Sequence, residues 1–158
     1  MGSKESGLAS PRRRPLSGEE FRSTYSKVPR LCVEVVVKTD AGVVLLVRKE
    51  ASWKGQWHIP GGTVFYQEPL ETAVERVAQE ELGIEVNIEK LLGYIEYPSE
   101  VKERGFGWAV GIAFLCTPAS DVDSAAWEKA DIKVFQELPD NLIEEQRPIL
   151  EQALAAAV

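Results

Sequence analysis

The sequence predicts an α+β fold in which one sheet lies between two helical layers. Three observations carry that prediction. β-branched and aromatic runs at 31–38, 43–48, 85–97, 106–117 and 131–136 read as strands. Two helical patterns interrupt them, one at 68–82 and one at the C-terminus, so the order is strands, helix, strands, helix. The chain has 158 residues, enough for one domain with a substantial core, and shows no internal repeat. Residues 1–16 are expected to form a disordered tail, because MGSKESGLASPRRRP is small, polar, basic and bounded by proline. Residues 17–158 are expected to form the single domain.

Each element has a local reason. Ser17-Gly18-Glu19-Glu20-Phe21 reads as a helix start with acidic residues in its first turn. That short helix either covers an edge of the domain or reaches a partner subunit, so a homodimer is expected. Asp40-Ala41-Gly42 is a turn joining the first two strands into a hairpin. Arg48 ends the second strand, either as a surface cation or as a clamp on a diphosphate, since guanidinium binds phosphate oxygens bidentately. The loop at 50–56 carries Trp53 and Gly55, and Trp57 reads as a packing residue.

His58 is the only histidine, and strand alternation turns it away from Trp57 and Ile59. It either faces the site as a proton acceptor or serves a structural role. Pro60-Gly61-Gly62 is a flexible approach to the next helix. Pro69 is expected at the first helical position, where no amide donor is needed. Leu70, Val74, Val77 and Ala78 form the apolar stripe, and Gly83 ends the helix. Beyond it, 98–105 reads as a charged hairpin loop and 106–117 as a central strand. Residues 118–129 read as a polar loop. The last helix is alanine-rich, with Pro148 in its first turn.

Composition excludes several function classes. Hydrophobic residues make up 44% and charged residues 27%, as in ordinary globular proteins. The net charge of −7 argues against a general nucleic-acid surface. An acidic protein that acts on phosphates needs a metal to offset repulsion. Cys32 and Cys116 lie in apolar runs and read as reduced, buried thiols. No run approaches the length of a membrane span, and the N-terminus lacks the apolar segment of a signal peptide. A cytoplasmic location is the expectation, with no membrane partner.

The chemistry is concentrated at 61–84. Arg76 and Glu80 are four residues apart and adjacent on a helix. Two glutamates, Glu80 and Glu81, at a helix C-terminus oppose the macrodipole. They make sense beside a divalent cation, which favours carboxylate and carbonyl oxygens. Glu68 sits just before the helix, within reach of Arg76. Gly62, Glu68, Arg76, Glu80, Glu81, Gly83 and Ile84 fall in the register of G-x5-E-x7-R-E-U-x-E-E-x-G-U, with U aliphatic, and Ala78 loosely fills one aliphatic place. The pattern resembles the Nudix box. Val77 stands where that box has the first glutamate of its R-E step. Glu75 is no substitute, because two residues along a helix is about 200° round the axis.

The resemblance implies an α/β/α sandwich with a mixed central sheet. It also implies hydrolysis of a nucleoside diphosphate linked to another moiety, a small-molecule substrate, with Mg2+ or Mn2+. With an apolar residue at Val77, the box is most similar to that of the GDP-mannose mannosyl hydrolases, which use one metal and direct water to the sugar carbon. By position, the resemblance implies a metal held by the Gly61 carbonyl and Glu81, with Glu80 and Glu128 in the metal set. Arg76, Glu80 and Glu81 are the implied catalytic residues, Glu68 the brace, and Arg48 and His58 the substrate contacts. The branch's general-base histidine falls at Lys129 and another of its histidines at Tyr97. Glu100, Glu103, Asp121 and Asp123 are alternative bases. Two readings stay open: a metal-dependent hydrolase of a nucleotide sugar or related compound, and a nucleotide-binding module that has lost turnover.

Overall fold

The computed structural model describes residues 16–157. Residues 1–15 of the expected tail lie outside the described residues. Seven strands make one mixed sheet: β1 (Arg30–Thr39), β2 (Gly42–Val47), β3 (Trp57–His58), β4 (Gly61–Thr63), β5 (Val86–Glu96), β6 (Ala109–Pro118) and β7 (Ile132–Phe135). The main path runs β3-β2-β1-β6-β5, with β4 on β1 and β7 on β2. β1 and β6 are parallel from Arg30–Ala109 to Val37–Cys116, and the other named pairings are antiparallel. The unbroken apolar run of β6 is therefore an interior strand, flanked by β1 and β5, where a strand is covered on both faces.

The helices are α1 (Gly18–Tyr25), α2 (Leu70–Val77), α3 (Ser99–Arg104), α4 (Ser124–Lys129) and α5 (Arg147–Ala155). β1 divides its side chains between two cores by strand alternation. Val33, Val35 and Val37 pack with Val74, Val77 and Ala78 on one face. Val36 packs with Leu45, Leu115 and Leu150 on the other. Helices α2 and α5 thus form the two outer layers of the expected sandwich. Cys32 and Cys116 are buried free thiols, and burial pushes both up to about 12.

The hairpin of β1 and β2 is short. The two strands share the rungs Lys38–Val43 and Thr39–Gly42 and then part. β1 goes on to pair with β4 and β6, while β2 pairs with β3 and β7. That divergence makes room for a cavity between them.

Local structure departs from expectation at three places. Pro69 caps α2 from outside, with ψ 148°, and the first helical residue is Leu70. The helix then widens into a π-turn at Ala78–Leu82 before Gly83 closes it at φ 67°. Single π-turns inside α-helices recur at functional sites. Residues 98–105 are not a solvent loop but contain α3, whose Glu100 is fully buried. Its partner Arg30 is 70 positions away, beyond the reach of any local pattern. The expected loop at 118–129 contains α4, capped by Asp123 and anchored by Trp127, whose indole N–H donates to the Leu82 carbonyl at 2.9 Å. A single anchor leaves no periodic stripe to read.

Val77 is 1% exposed, and a Cβ on Gly62 would stand 3.3 Å from its Cγ2. The position that the Nudix box gives to a carboxylate is packed shut. Val77→Glu should cost about 3 kcal/mol by burying an unpaired charge, a loss of about 10 °C in Tm. Thermal melts in EDTA that differ by less than about 2 °C would contradict this packing.

Candidate active site

Where β1 and β2 part, a cavity of about 450 Å³ opens. One strand face of β1 supplies Arg30, Cys32 and Glu34, and the opposite wall carries Arg48 and His58. Gly61 and Glu81 close its acidic end.

Glu81 projects from the π-turn, and its Oε1 accepts the Gly61 N–H at 3.3 Å. Partial burial raises its pKa, against the lowering effect of that hydrogen bond. Glu34 faces Gly61 across the β1–β4 rung. The Tyr97 hydroxyl donates to Glu34 Oε1 at 2.8 Å. Gln146 in turn donates to the Tyr97 oxygen at 2.9 Å and accepts the Ile59 N–H at 2.8 Å. Full burial, reinforced by the Glu81 charge, pushes the Glu34 carboxyl up to about 8. Two glycines make space for it. A Cβ on Gly111 would lie 2.5 Å from Oε1, and one on Gly61 would lie 2.8 Å from Oε2. Oε1 is therefore committed to Tyr97, and Oε2 is turned toward the residue that Glu81 holds.

Arg76 fixes this end of the cavity. Its guanidinium donates to Glu68 at 2.8 and 3.0 Å, to the Thr63 carbonyl at 2.9 Å and to Glu80 at 2.7 Å, and it stacks over Phe65 at 3.8 Å. The expected brace between Arg76 and Glu68 is present, and Glu80 joins it from the exposed side. Arg48 stands at the mouth, with Nε 3.3 Å from both the Ser52 carbonyl and Glu50. Its guanidinium lies 5.7 Å from the Trp53 ring centre.

His58 lines the wall with Nδ1 2.8 Å from the Ile59 carbonyl. A carbonyl only accepts, so Nδ1 carries the proton and Nε2 is left as an acceptor. Burial pushes the ring down to about 4, which makes it neutral at pH 7.

The expected metal set is not gathered. Among the described residues, no three His, Cys, Asp or Glu side chains are placed to hold one ion. Glu80 is turned to Arg76. Glu128 is exposed on α4, because its neighbour Trp127 takes the inward direction of that short helix. The alternative bases are also occupied or outside. Glu100 binds Arg30, Glu103 accepts the Trp53 N–H at 2.7 Å, and Asp123 caps α4. Asp121 and Lys129 are exposed, and none of these five lines the cavity. Sequence reasoning missed Glu34. Its signal was present: one acid in an otherwise apolar run at 31–37.

A family model of the NUDIX domain matches residues 28–153. The chain belongs to the Nudix family of hydrolases. It is 35% identical over 121 residues to the low-salt glycan biosynthesis protein Agl8 of Haloferax volcanii, covering 75% of this chain and 78% of that one. It is 31% identical over 87 residues to an ADP-ribose pyrophosphatase of Methanocaldococcus jannaschii, covering 55% of this chain and 50% of that one. The structure is similar to a MutT NUDIX hydrolase from Burkholderia pseudomallei, with TM-score 0.66 and 28% identity over 80% of this chain and 98% of the other. Nudix hydrolases generally use divalent metal ions, and their mixed sheet between helices is the fold found here. Among the described residues, no helix of this chain is long and apolar enough to cross a membrane.

The burial of Glu34 has a stability consequence with a definite sign. Its ordinary value is 4.5 and its folded value about 8. Below pH 4.5 the shift contributes nothing. As pH rises toward 8, the folded state must keep a proton that the unfolded state sheds, and stability falls. Glu34→Gln removes the titrating group and keeps an acceptor for Tyr97. In EDTA the variant should match the wild type near pH 4.5 and exceed it by about 2 kcal/mol or more at pH 8 in urea unfolding. Equal stability at pH 8 would contradict the burial.

Proposed function

We propose that the protein hydrolyses a nucleoside diphosphate linked to another moiety, a nucleotide sugar foremost, with Mg2+ or Mn2+. The observation that carries this reading is the cavity's two poles. Glu81 and Glu34 meet at Gly61 on one side, and Arg48 stands in the opposite wall. The relatives point the same way: one is named for glycan biosynthesis, and another for ADP-ribose, itself a nucleoside diphosphate joined to a sugar.

The donor set fits a hard cation. Burial disfavours the charge on both carboxylates, and a divalent ion restores what solvent no longer supplies. Glu81 and the Gly61 main chain would hold it, and when bound it neutralises charge on a diphosphate leaving group. The rest of the work falls to the chain. Arg48 takes phosphate oxygens in its planar fork and sets the direction of the diphosphate. Neutral His58 offers Nε2 to a substrate hydroxyl. Glu34 holds its proton near neutral pH in the metal-free chain; a cation at Gly61 would favour its carboxylate, which would then take the proton of the attacking water at Oε2.

Val77 leaves the cavity with one acidic pole, which favours attack at the sugar carbon. Water oxygen bonds to that carbon, the carbon–oxygen bond breaks, and the nucleoside diphosphate departs with the electron pair. Turnover of a nucleotide-sugar panel with Mg2+ in oxygen-18 water should place the label in the free sugar. Label in a phosphate would instead assign attack to phosphorus. Glu81→Gln should lower kcat/KM by about 100-fold or more while circular dichroism stays unchanged. Nucleotide binding without turnover of any compound in the panel would refute the reading and leave a binding module.

A further inference from the structure

The cavity has a second charged cluster that this chemistry does not use. Arg30 begins β1, on the same strand face as Glu34. Its guanidinium turns along the strand, donating to Thr63 Oγ1 at 2.9 Å and to Cys32 Sγ at 3.0 Å. Cys32 and Thr63 form one rung of the β1–β4 pair. That rung is about 7 Å, two strand residues, from the Glu34–Gly61 rung. The other amino group of Arg30 donates to Glu100 Oε2 at 2.8 Å. Arg104, at the end of α3, places Nε 3.1 Å from the same oxygen, though out of hydrogen-bonding alignment.

Glu100 is fully buried between the two. The site is built to admit it. A Cβ on Gly107, at φ +106°, would stand 2.8 Å from its carboxyl carbon.

Glu100 is the one carboxylate in direct contact with both guanidinium ions; Glu50 acts on Arg104 and Glu34 on Arg30 only at longer range. A single arginine would neutralise Glu100, and buried ionic clusters are a poor source of stability. Among the described residues, Glu100 is the only hydrogen-bond or ion-pair partner of Arg104, and the terminal amino groups of Arg104 have none. Its side chain is 27% exposed and lines the cavity. The Phe21 ring of α1, centred 5.8 Å from the guanidinium carbon, supports it from behind. Burial, and then the neighbouring Arg30 charge, both disfavour its charged form, so an anion arriving there relieves two costs.

We propose that Arg104, positioned by Glu100 and Arg30, binds an oxyanion of the substrate, a carboxylate or a phosphate, in addition to the diphosphate. The inference rests on the hydrolase reading above and narrows it to nucleoside diphosphate compounds that carry one further anionic group. Arg104 shares Glu100 with Arg30, which reaches the Cys32–Thr63 rung, away from the Gly61–Glu81 end, and it lies within the field of Arg48. It therefore meets the far side of the linked sugar or of the ribose.

The test compares substrates that differ only by the anion: UDP-glucuronate with UDP-glucose, GDP-mannuronate with GDP-mannose, and ADP-ribose 2′-phosphate with ADP-ribose. Kd is measured by calorimetry in EDTA and kcat/KM in Mg2+. The charged member should be favoured by about tenfold or more in one series, and Arg104→Gln should bring that ratio close to one. Preference in a sugar pair assigns the oxyanion to a sugar carboxylate, and preference in the ribose pair assigns it to a phosphate. Ratios near one in every wild-type pair overturn the proposal, and so does a preference that survives Arg104→Gln. If that variant does not fold, Arg104→Lys keeps a charge against Glu100 and loses the fork, and should reduce the ratio severalfold. Turnover without preference removes this subsite and keeps the hydrolase. Preference in binding without turnover does the reverse.

Discussion

The site depends on the position of one guanidinium. Arg76 ties the Thr63 carbonyl of β4, both oxygens of Glu68 and the carboxylate of Glu80 to the last α-turn of α2. Charge-assisted bidentate bonds of this kind hold geometry as well as contribute energy. They fix the glycine strand against the helix, so the Gly61 N–H and the Glu81 carboxylate meet. The π-turn that follows places Glu81 inward while Glu80 stays with Arg76. Without that brace, the residues of the acidic pole belong to two elements with nothing to align them.

The second constraint is the parting of β1 and β2. A hairpin paired along its length would fill the space with ladder hydrogen bonds. Two rungs followed by divergence leave a cavity whose walls are strand faces, and rigid elements hold functional groups more closely than loops do. The face of β1 that enters this cavity carries Arg30, Cys32 and Glu34, while the opposite face carries Val33, Val35 and Val37. Burying Glu34 costs stability, and the hydrogen bond from Tyr97 offsets part of that cost. Groups kept in such unfavourable surroundings are concentrated at functional sites.

Much of this was legible in the sequence. Strand alternation, the apolar stripe of α2 and the Gly83 stop are local signals, and each appears in the structure at the expected residues. The resemblance implies a brace from Arg76 to Glu68 or Glu80, and Arg76 contacts both. What escaped notice is long-range. Glu100 reads as a solvent charge until Arg30 is brought against it from the first strand. Glu34 reads as an oddity in an apolar run until Gly61 and Gly111 make room for it. Glu128 enters the metal set only by its position in the resemblance. That position falls in a six-residue helix in which Trp127 claims the inward direction. Short polar helices and buried ion clusters share this difficulty, because tertiary partners and not periodicity decide them.

The central claim is that one divalent ion sits at the Gly61–Glu81 end of the cavity, on the side that Glu34 faces. Diffraction at the manganese edge, from crystals grown with Mn2+ and a nucleoside diphosphate, examines that point directly. A single anomalous peak in contact with the Glu81 carboxylate and the Gly61 main chain is the predicted result. No peak there, or a peak at Glu128 with none at Gly61, would contradict it.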